Sequence, residues 1–325
     1  MSVAWRKSRF TNALRCYAGY ALSLFGRVRV SHGPVFVSVE PASVCQLHCP
    51  ECPVAFAKEM DENQRFSGTP YMSMEVWQRT LAEISPYAFT VQFYFQGEPL
   101  LNQALPEMIR QAHAEGLYTI VSTNAQSMTP AWAEALVGAG LSRIIVSMDG
   151  LTQETYSAYR IGGSLQQCMD ALRYLRAAKE RVNARITIEL QCLRLRTNEQ
   201  EWAELKRMYH RLGADRLTLK TAQLYNYADG HPLMPANERY SRYRKGSDGH
   251  YHRKPRRKSC LRVWSGCVIT TEGDVLPCCY DKAHAHAYGN IMNTHIRGLF
   301  ANDTALAFRR QAWQEQPAIC RECWK

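Results

Sequence analysis

The chain has 325 residues, 46% of them apolar and 21% charged, with a formal net charge of +11 at pH 7. This composition is typical of a globular protein and excludes a disordered one. No apolar run reaches the roughly 18–20 residues of a membrane-spanning helix, and basic residues interrupt every N-terminal apolar stretch, which excludes a secretory signal. We therefore expect a cytoplasmic protein whose twelve cysteines are metal ligands or catalytic groups rather than disulfides.

Residues 1–33 contain one predicted amphipathic helix. Its apolar side chains recur at helical spacing, at Leu14, Tyr17, Ala18, Ala21, Leu22 and Phe25. We expect this apolar face to dock against the body of the protein. The alternative is an interfacial helix, apolar on one side and flanked by arginines, which would give residues 1–30 a peripheral membrane contact.

Strand-like and helix-like patterns alternate between residues 34 and 225. The predicted strands are 35–39, 90–95, 118–122, 143–147, 185–190 and 216–220. Helical patterns lie between them, at 74–84, 104–115, 130–139, 165–181 and 199–212. Six strands separated by helices predict an α/β fold with parallel strands, such as a partial (β/α)6 TIM-like barrel. In such folds the chemistry gathers at the carboxyl ends of the strands.

The residue composition changes after residue 225. Residues 226–259 are predicted to form a connector, because they are rich in Gly, Pro, Asp and Asn. The densest basic run, residues 242–258, lies here. We interpret it as a solvated loop in preference to a nucleic-acid contact, since no recognised binding motif accompanies it. Residues 260–325 carry half of the cysteines but few long apolar runs, so we expect a small C-terminal domain stabilised by metal.

Three cysteines follow the first predicted strand, in the stretch CQLHCPEC. Cys45, Cys49 and Cys52 supply one ligand fewer than a closed tetrahedral site needs. Thiolates suit either an iron–sulfur cluster or zinc, with His48 or a distant residue as the fourth zinc ligand. A C-x3-C-x2-C loop in this position resembles the signature of the radical S-adenosylmethionine (SAM) superfamily. The resemblance spans residues 34–225. It implies that the three thiolates hold a 4Fe-4S cluster whose open iron binds SAM, and that a flavodoxin- or ferredoxin-type donor reduces it.

Further motifs lie at the ends of the later strands. FQGEP resembles the family's Gly-Gly-Glu-Pro motif, with Gln96 in place of the first glycine, and STNA and SMDG follow at the next two strand ends. Each motif alone is also typical of a polar strand end or turn. The resemblance implies that Glu98 accepts a hydrogen bond from the SAM ammonium and that Arg160 contacts SAM, where a guanidinium pairs well with a carboxylate. The implied SAM-binding residues are Gly97, Glu98, Ser122, Asn124, Ser147 and Arg160.

The C-terminal cysteines resemble a SPASM domain in its shortened, twitch-like form. The spacing of Cys260, Gly273 and Cys278 matches the opening of that domain, and a C-x2-C pair closes the chain. The resemblance implies one auxiliary 4Fe-4S cluster, with a closed zinc site as the structural alternative. Cys267 and Cys279 are left without a role. The implied cluster ligands are Cys260, Cys278, Cys320 and Cys323.

The resemblance implies an oxidoreductase-like enzyme that cleaves SAM reductively to a 5′-deoxyadenosyl radical, which then takes a hydrogen from the substrate. The substrate is open: oxidation of a small molecule, or oxidation or cross-linking of a peptide by a maturase with a separate leader-binding partner. Only about 33 residues precede the first strand, fewer than the roughly 80 of a small recognition domain, which disfavours the peptide. Asp281 is the candidate base. A non-catalytic metal-binding interaction protein is the remote alternative.

Overall fold

An eight-stranded sheet forms the centre of the molecule. The structure is a computed structural model and describes residues 7–55, 68–254, 260–314, 316–321 and 323. Six strands of the sheet are β1 (Phe36–Val39), β2 (Thr90–Phe93), β3 (Tyr118–Thr123), β4 (Arg143–Ser147), β5 (Thr187–Arg194) and β6 (Arg216–Thr221). They are parallel neighbours in chain order, which confirms the predicted α/β class and the six-strand pattern of a partial barrel.

Helices precede and connect these strands. Helix α1 (Lys7–Ser23) comes before β1. The connecting helices are α2 (Met74–Ile84), α3 (Leu105–Ala114), α4 (Pro130–Gly138), α5 (Gln153–Ser157), α6 (Leu165–Arg181) and α7 (Trp202–Met208). Short 3-10 helices lie at Pro99–Leu101, Arg196–Asn198 and Glu238–Tyr240. The C-terminal helices are α8 (Arg262–Ser265), α9 (Ile296–Ala301), α10 (Asp303–Gln314) and α11 (Ala318–Arg321).

Local sequence explains where the main helices begin. The side chains of Ser73, Thr129 and Ser164 accept hydrogen bonds from main-chain N–H groups in the first turns of α2, α4 and α6. Such caps satisfy donors that a helix leaves without partners. Pro130 follows its cap in the first turn of α4, where its missing N–H costs nothing. Strand β4 is buried from Ile144 to Ser147, as expected of a parallel strand covered on both faces.

Two short C-terminal strands extend the same sheet. Strand β9 (Gly266–Ile269) runs parallel to β1, with Cys267 opposite Val37, and β10 (Val275–Leu276) pairs antiparallel with β9. The first strands of the predicted C-terminal domain therefore lie in the barrel's own sheet. Gly266 permits this close packing, because a Cβ there would lie 2.3 Å from the ring of Phe36.

Helix α1 docks against the barrel through a polar face. Its buried residues are Arg9, Asn12, Cys16, Gly19 and Ser23. The Arg9 guanidinium donates to the carbonyl oxygens of Ser85 (2.8 Å), Gly116 (3.0 Å) and Glu115 (2.8 Å). These carbonyls follow α2 and α3, so α1 lies at the end of the barrel where the strands begin.

The predicted docking face of α1 was wrong, because the apolar residues point outward. Leu14 is 55% exposed, Tyr17 53% and Phe25, just beyond the helix, 82%. The helix therefore docks as expected, but on the opposite side. Within the part of the chain that the structure describes, no helix is long and apolar enough to span a bilayer.

The basic run forms a hairpin rather than an irregular loop. Strands β7 (Tyr243–Lys245) and β8 (Tyr251–Arg253) pair antiparallel. Tyr243 anchors the hairpin: it is buried, its ring stacks 4.1 Å from that of Tyr227, and its hydroxyl donates to the Leu224 carbonyl. Residues 255–259 of the basic run lie outside the described residues.

Candidate active site

A cavity of about 170 Å³ opens at the carboxyl ends of the barrel strands. It brings together the three loop cysteines and all six predicted SAM-binding residues. Among the described residues, its lining consists of Cys45, Leu47, Cys49, Cys52, Pro53, Tyr94, Phe95, Gln96, Gly97, Glu98, Ser122, Thr123, Asn124, Ser147, Arg160 and Lys282. Motifs at the ends of β2, β3 and β4 thus converge with the cysteine loop that follows β1, as expected at the carboxyl ends of parallel strands. The individual roles toward SAM stay predictions.

The cysteine loop holds its thiols close together in a buried setting. Burial, with smaller effects from Glu98, Cys49 and Cys52, raises the pKa of Cys45 to about 11, although a hydrogen bond from the Leu47 amide opposes the rise. The pKa of Cys49 is also raised, mainly by burial, although the Arg160 guanidinium opposes the shift. Buried thiols that share a pocket and resist ionisation fit an iron–sulfur cluster, because bound metal ions stabilise thiolates.

Gly97 allows the cysteine loop to cross the end of β2. Its φ is +46°, and an added Cβ would lie 2.0 Å from the carbonyl oxygen of Ala42. The next amide, that of Glu98, donates to the carbonyl of Val44 at 2.8 Å. The FQGEP motif therefore seats the cysteine loop directly on the sheet.

Glu98 is buried and connects the ends of β2 and β3. Its carboxylate accepts from the Thr123 hydroxyl at 2.5 Å, the Asn124 amide at 2.8 Å and the Leu100 amide at 3.1 Å. Burial raises its pKa, and these hydrogen bonds oppose the rise. Glu98 thus holds the STNA turn in place; its predicted contact with the SAM ammonium would add to bonds already made within the protein.

Arg160 enters the cavity paired with Asp149. Its Nε lies 2.6 Å from the Asp149 carboxylate, its Nη1 lies 3.9 Å from the Cys49 sulfur, and its guanidinium stacks over Tyr159. Burial works against the positive charge, but Asp149, together with Cys49, Tyr159 and Tyr156, outweighs it and raises the Arg160 pKa. Asp149 also accepts from the Leu193 amide at 2.6 Å. Asp149 belongs to the SMDG motif that the sequence analysis singled out, but its pairing with Arg160 was not predicted.

Glu51 is a second residue whose role the sequence did not reveal. It directly precedes Cys52, the third loop cysteine. One carboxylate oxygen accepts from the Tyr225 amide at 2.5 Å, and the other lies 3.1 Å from Nε2 of His231. Glu51 thereby connects the cysteine loop to the start of the connector.

Asp281, the predicted base, lies apart from the cavity lining. Its buried carboxylate accepts from the main-chain amides of Ala285 and His286, both at 2.9 Å. These bonds stabilise a local turn, so the geometry gives no support to a catalytic role. The adjacent Lys282 does line the cavity, and its carbonyl accepts from the Gln96 side chain at 3.0 Å. Gln96, which replaces the family's first glycine, thus joins the barrel to the C-terminal region.

The predicted auxiliary ligands gather around Cys278. Its pKa is raised by burial and by the neighbouring thiols of Cys279, Cys260 and Cys320. Cys323 is buried one turn after Cys320, and its amide donates to the Cys320 carbonyl at 3.3 Å. The clustering of these thiols fits a metal centre. In the part of the chain that is described, no three Cys, His, Asp or Glu side chains are placed so that they could together hold a single metal ion.

The two cysteines without a predicted role differ in position. Cys267 lies inside β9, is buried, and has its pKa raised by burial to about 12. Cys279 is partly exposed, and Nη1 of Arg262 donates to its sulfur at 3.0 Å. Cys267 is therefore a core residue, whereas Cys279 stands beside the predicted cluster ligands.

Two family profiles match the chain. The profile of the Radical SAM superfamily covers residues 39–211, more than half of the chain. The SPASM profile, an iron-sulfur cluster-binding domain, covers residues 260–324. The chain belongs to the radical SAM superfamily and carries a C-terminal SPASM domain. It is accordingly an enzyme that uses SAM and iron–sulfur clusters, and the alternatives of a zinc protein or a non-catalytic interaction protein are set aside.

Similar proteins include peptide-modifying enzymes. PqqA peptide cyclase of Rhizobium meliloti is 27% identical over 315 residues, covering 89% of this chain and 79% of the cyclase. The structure resembles Streptococcus suis SuiB bound to its precursor peptide SuiA, with a TM-score of 0.63 and 14% identity, covering 92% of this chain and 71% of SuiB. It also resembles BtrN in complex with AdoMet and 2-DOIA, with a TM-score of 0.54 and 18% identity, covering 89% of this chain and 92% of BtrN. At these identities the two structures bear on the fold alone.

Proposed function

We propose that this radical SAM enzyme oxidises or cross-links side chains of a peptide. The observation that carries the proposal is its similarity to PqqA peptide cyclase, which extends over 89% of the chain and so includes both the barrel and the SPASM region. The peptide alternative, which the short region before β1 disfavoured, is thus the one that the relatives favour.

The chain's own residues supply the setting for SAM. We assign Cys45, Cys49 and Cys52 as ligands of the cluster to which SAM binds. When bound, that cluster and SAM together supply an electron and a 5′-deoxyadenosyl radical that abstracts a substrate hydrogen. Arg160, held by Asp149 and close to the Cys49 sulfur, keeps a positive charge beside the thiolates and offers its remaining N–H groups to the SAM carboxylate.

The C-terminal cysteines would hold the auxiliary centre. We assign one 4Fe-4S cluster to them, because four cysteines remain when the barrel loop, the core cysteines and Cys279 are set aside. The closeness of the Cys278, Cys260 and Cys320 thiols supports this ligand set. Strand β9 places this region against β1, whose end leads into the cysteine loop. A cluster held there would supply a redox centre able to take up the electron that substrate oxidation releases. The proposed ligands are Cys260, Cys278, Cys320 and Cys323.

A small acidic flavodoxin or ferredoxin is the proposed electron donor. One electron must reach the barrel cluster for each SAM that is cleaved, and an outside donor must supply at least the first. The net charge of +11 favours encounter with an acidic carrier, since opposite charges speed association at low salt. Reduction by such a donor should therefore slow as the ionic strength rises, whereas reduction by dithionite should depend on salt much less.

Anaerobic reconstitution tests the proposed function. The enzyme, loaded with iron and sulfide, is given SAM, a reductant and short peptides encoded next to its own gene. We expect 5′-deoxyadenosine and a peptide lighter by two hydrogens, with deuterium passing from a labelled peptide side chain into 5′-deoxyadenosine. If SAM is cleaved but labelled hydrogen comes only from a small molecule, the enzyme is a small-molecule oxidase and the peptide assignment is wrong.

A further inference from the structure

Helix α1 and the turn after it expose apolar side chains at the end of the barrel where the strands begin. Leu14, Tyr17 and Leu22 lie outside the buried face of α1, and Leu24 and Phe25 follow the helix. We call these five residues the α1 surface. Single exposed apolar residues are ordinary, but five within residues 14–25 indicate a binding surface.

Helix α1 buries polar side chains and exposes apolar ones, the reverse of the usual arrangement. Its buried side carries Arg9 and Asn12, whose polar groups bond to main-chain carbonyls of the barrel: Arg9 to those of residues 85, 115 and 116, Asn12 to that of Gly33 at 3.1 Å. Desolvating these groups is costly unless each bond is made. A helix whose polar side is held inward by such bonds keeps its apolar side outward, available to something else.

The rim of the α1 surface is positive. Residues 1–39 contain no Asp or Glu, and the first acidic residue is Glu40. Lys7, Arg15, Arg27 and Arg29 are exposed around the α1 surface. Arg297, also exposed, stacks on Tyr87 beside residues 30–32 and adds a further cation at this end.

Glu83, an acidic residue near this rim, is already engaged. Glu83 lines a cavity of about 390 Å³ together with Val30, His32 and Arg297. One Glu83 oxygen lies 2.8 Å from Nδ1 of His295 and 3.1 Å from Arg79, and the other accepts from a main-chain amide at 2.9 Å. Its charge is thereby offset within the protein, and the surface as a whole remains cationic.

We infer that the α1 surface binds an anionic lipid bilayer. Leucines and aromatic rings flanked by Arg and Lys are the composition of helices that lie in a membrane interface, where the apolar side enters the acyl boundary and the cations contact the headgroups. A second copy of this chain fits less well, because a symmetric contact would bring two identical cationic rims together.

This placement leaves the catalytic cavity clear. Helix α1 contacts the turns before β2 and β3, whereas the SAM cavity lies where the strands end. The enzyme would rest on the bilayer with its active site at the other end of the barrel. The inference does not depend on which substrate the enzyme modifies.

Vesicle sedimentation tests the inference with the full-length, cluster-loaded enzyme. We expect it to sediment with phosphatidylcholine vesicles that contain about one third phosphatidylglycerol, to bind pure phosphatidylcholine much less, and to be released by salt. Leu14→Ser, Tyr17→Ser and Phe25→Ser together should lower the partition coefficient at least about tenfold, because each removes apolar area that the bilayer would bury. The matched control is Tyr71→Ser with Val182→Ser, two exposed apolar residues elsewhere.

A charge variant keeps the test decisive if the triple variant folds poorly. Arg27→Glu with Arg29→Glu should abolish the preference for anionic vesicles while SAM cleavage is unchanged. The inference is overturned if the wild-type enzyme stays in the supernatant with anionic vesicles at low salt, or if neither variant weakens binding. A concentration-dependent dimer that the triple variant abolishes would show instead that α1 joins two copies of the chain.

Discussion

At the scale of single residues, Gly97 sets how closely the cysteine loop approaches the sheet. Two independent properties require glycine there: a φ of +46°, and a 2.0 Å distance from an added Cβ to the Ala42 carbonyl oxygen. Both concern main-chain atoms that have no room to move aside. The motif match identified this position from sequence, but only the folded chain explains why the residue is needed.

We expect Gly97→Ala to displace the cysteine loop and disable the first cluster. The substitution should reduce bound iron by about four per chain, since the four-iron barrel centre depends on this loop, and should abolish 5′-deoxyadenosine formation. Gly138→Ala is the matched control: its Cβ would meet nothing within 4 Å, and alanine is the better helix former at the end of α4. Equal iron content in the two variants would contradict this account.

The buried pair of Asp149 and Arg160 offers a second test at this scale. Asp149→Asn leaves the Arg160 guanidinium without its counter-ion, and removing one partner of a buried pair costs about 3–5 kcal/mol. We expect a lower urea midpoint and weaker SAM binding. Asp170→Asn breaks another Asp–Arg pair, but one on an exposed helix surface, so it should change neither quantity measurably. Similar losses in both variants would show that burial does not decide the effect.

Local motifs predicted the lining of the cavity, but not the bonds that support it. The sequence predicts that strand-end residues such as Asn124 line the cavity, because the carboxyl ends of neighbouring parallel strands lie side by side. Lys282 reaches the same cavity from the C-terminal region, and its approach depends on a pairing between segments more than 200 residues apart, β1 and β9. No local pattern encodes such a pairing.

At the scale of elements, α1 shows how periodicity can select the wrong face. The pattern correctly predicted a helix, because Leu14, Tyr17 and their neighbours recur every three to four residues. It counted only apolar side chains, whereas the docked face is held by three hydrogen bonds from the Arg9 guanidinium. The planar fork of an arginine satisfies several carbonyls at once, so a polar residue can anchor a buried helix face.

Strand β9 was missed for a different reason. It has four residues, all buried, between a helical turn and a tight loop, so neither its length nor alternation distinguishes it. The six barrel strands were predictable because helices of regular length separate them. When a segment far along the chain pairs with the edge of a sheet, as β9 does with β1, local sequence does not predict the pairing.

The junction of β1, β2 and β9 has a pH-dependent stability. Glu40 ends β1, is buried, and accepts hydrogen bonds from the main-chain amides of Thr271 and Gln96. Burial raises its pKa from 4.5 to about 7, in spite of those bonds and of nearby Lys282. The folded protein thus holds this proton more tightly than the unfolded chain does, so stability contributed by Glu40 falls as the pH rises from about 4.5 to about 7.

We expect Glu40→Gln to remove this pH dependence. Above pH 7 the variant should be more stable than the wild type, by up to roughly 3 kcal/mol, and the difference should shrink toward about pH 5. Urea unfolding at several pH values measures it. Glu204→Gln, in an exposed position of α7, serves as the control and should shift stability equally at every pH. A Glu40→Gln difference that grows as the pH falls would reverse the sign and refute the argument.

At the scale of the whole molecule, the barrel and the SPASM region share one sheet, and the SPASM region also packs against α1. Arg309 of α10 is buried and donates to the carbonyls of Val263 and Phe300, while Trp264 packs against Gly19 of α1. The C-terminal region is therefore packed on itself through Arg309 and contacts the N-terminal helix through Trp264. Its stability comes from two sources: this packing around β9, and the metal that its cysteines are proposed to hold.

Removing residues 319–325 separates these two sources. The truncation deletes Cys320 and Cys323, two of the proposed auxiliary ligands, but leaves β9 hydrogen-bonded to β1. We expect amides of residues 266–269 to remain protected from hydrogen exchange, because their partners in β1 persist. Amides of residues 278–286, which depend on the metal, should lose protection. Iron should fall by about four per chain, and SAM should be cleaved slowly without turnover of substrate.

The double substitution of Cys320 and Cys323 by Ser is the matched control, since it removes the thiols and keeps the α11 backbone. It should reproduce the loss of iron and of protection at residues 278–286. If the truncation disorders β9 but the double substitution does not, packing of α11 rather than metal maintains the region. If iron stays near eight per chain in both, the auxiliary cluster has other ligands, and Cys279 is the first to test because its sulfur already lies beside Cys278 and accepts from Arg262.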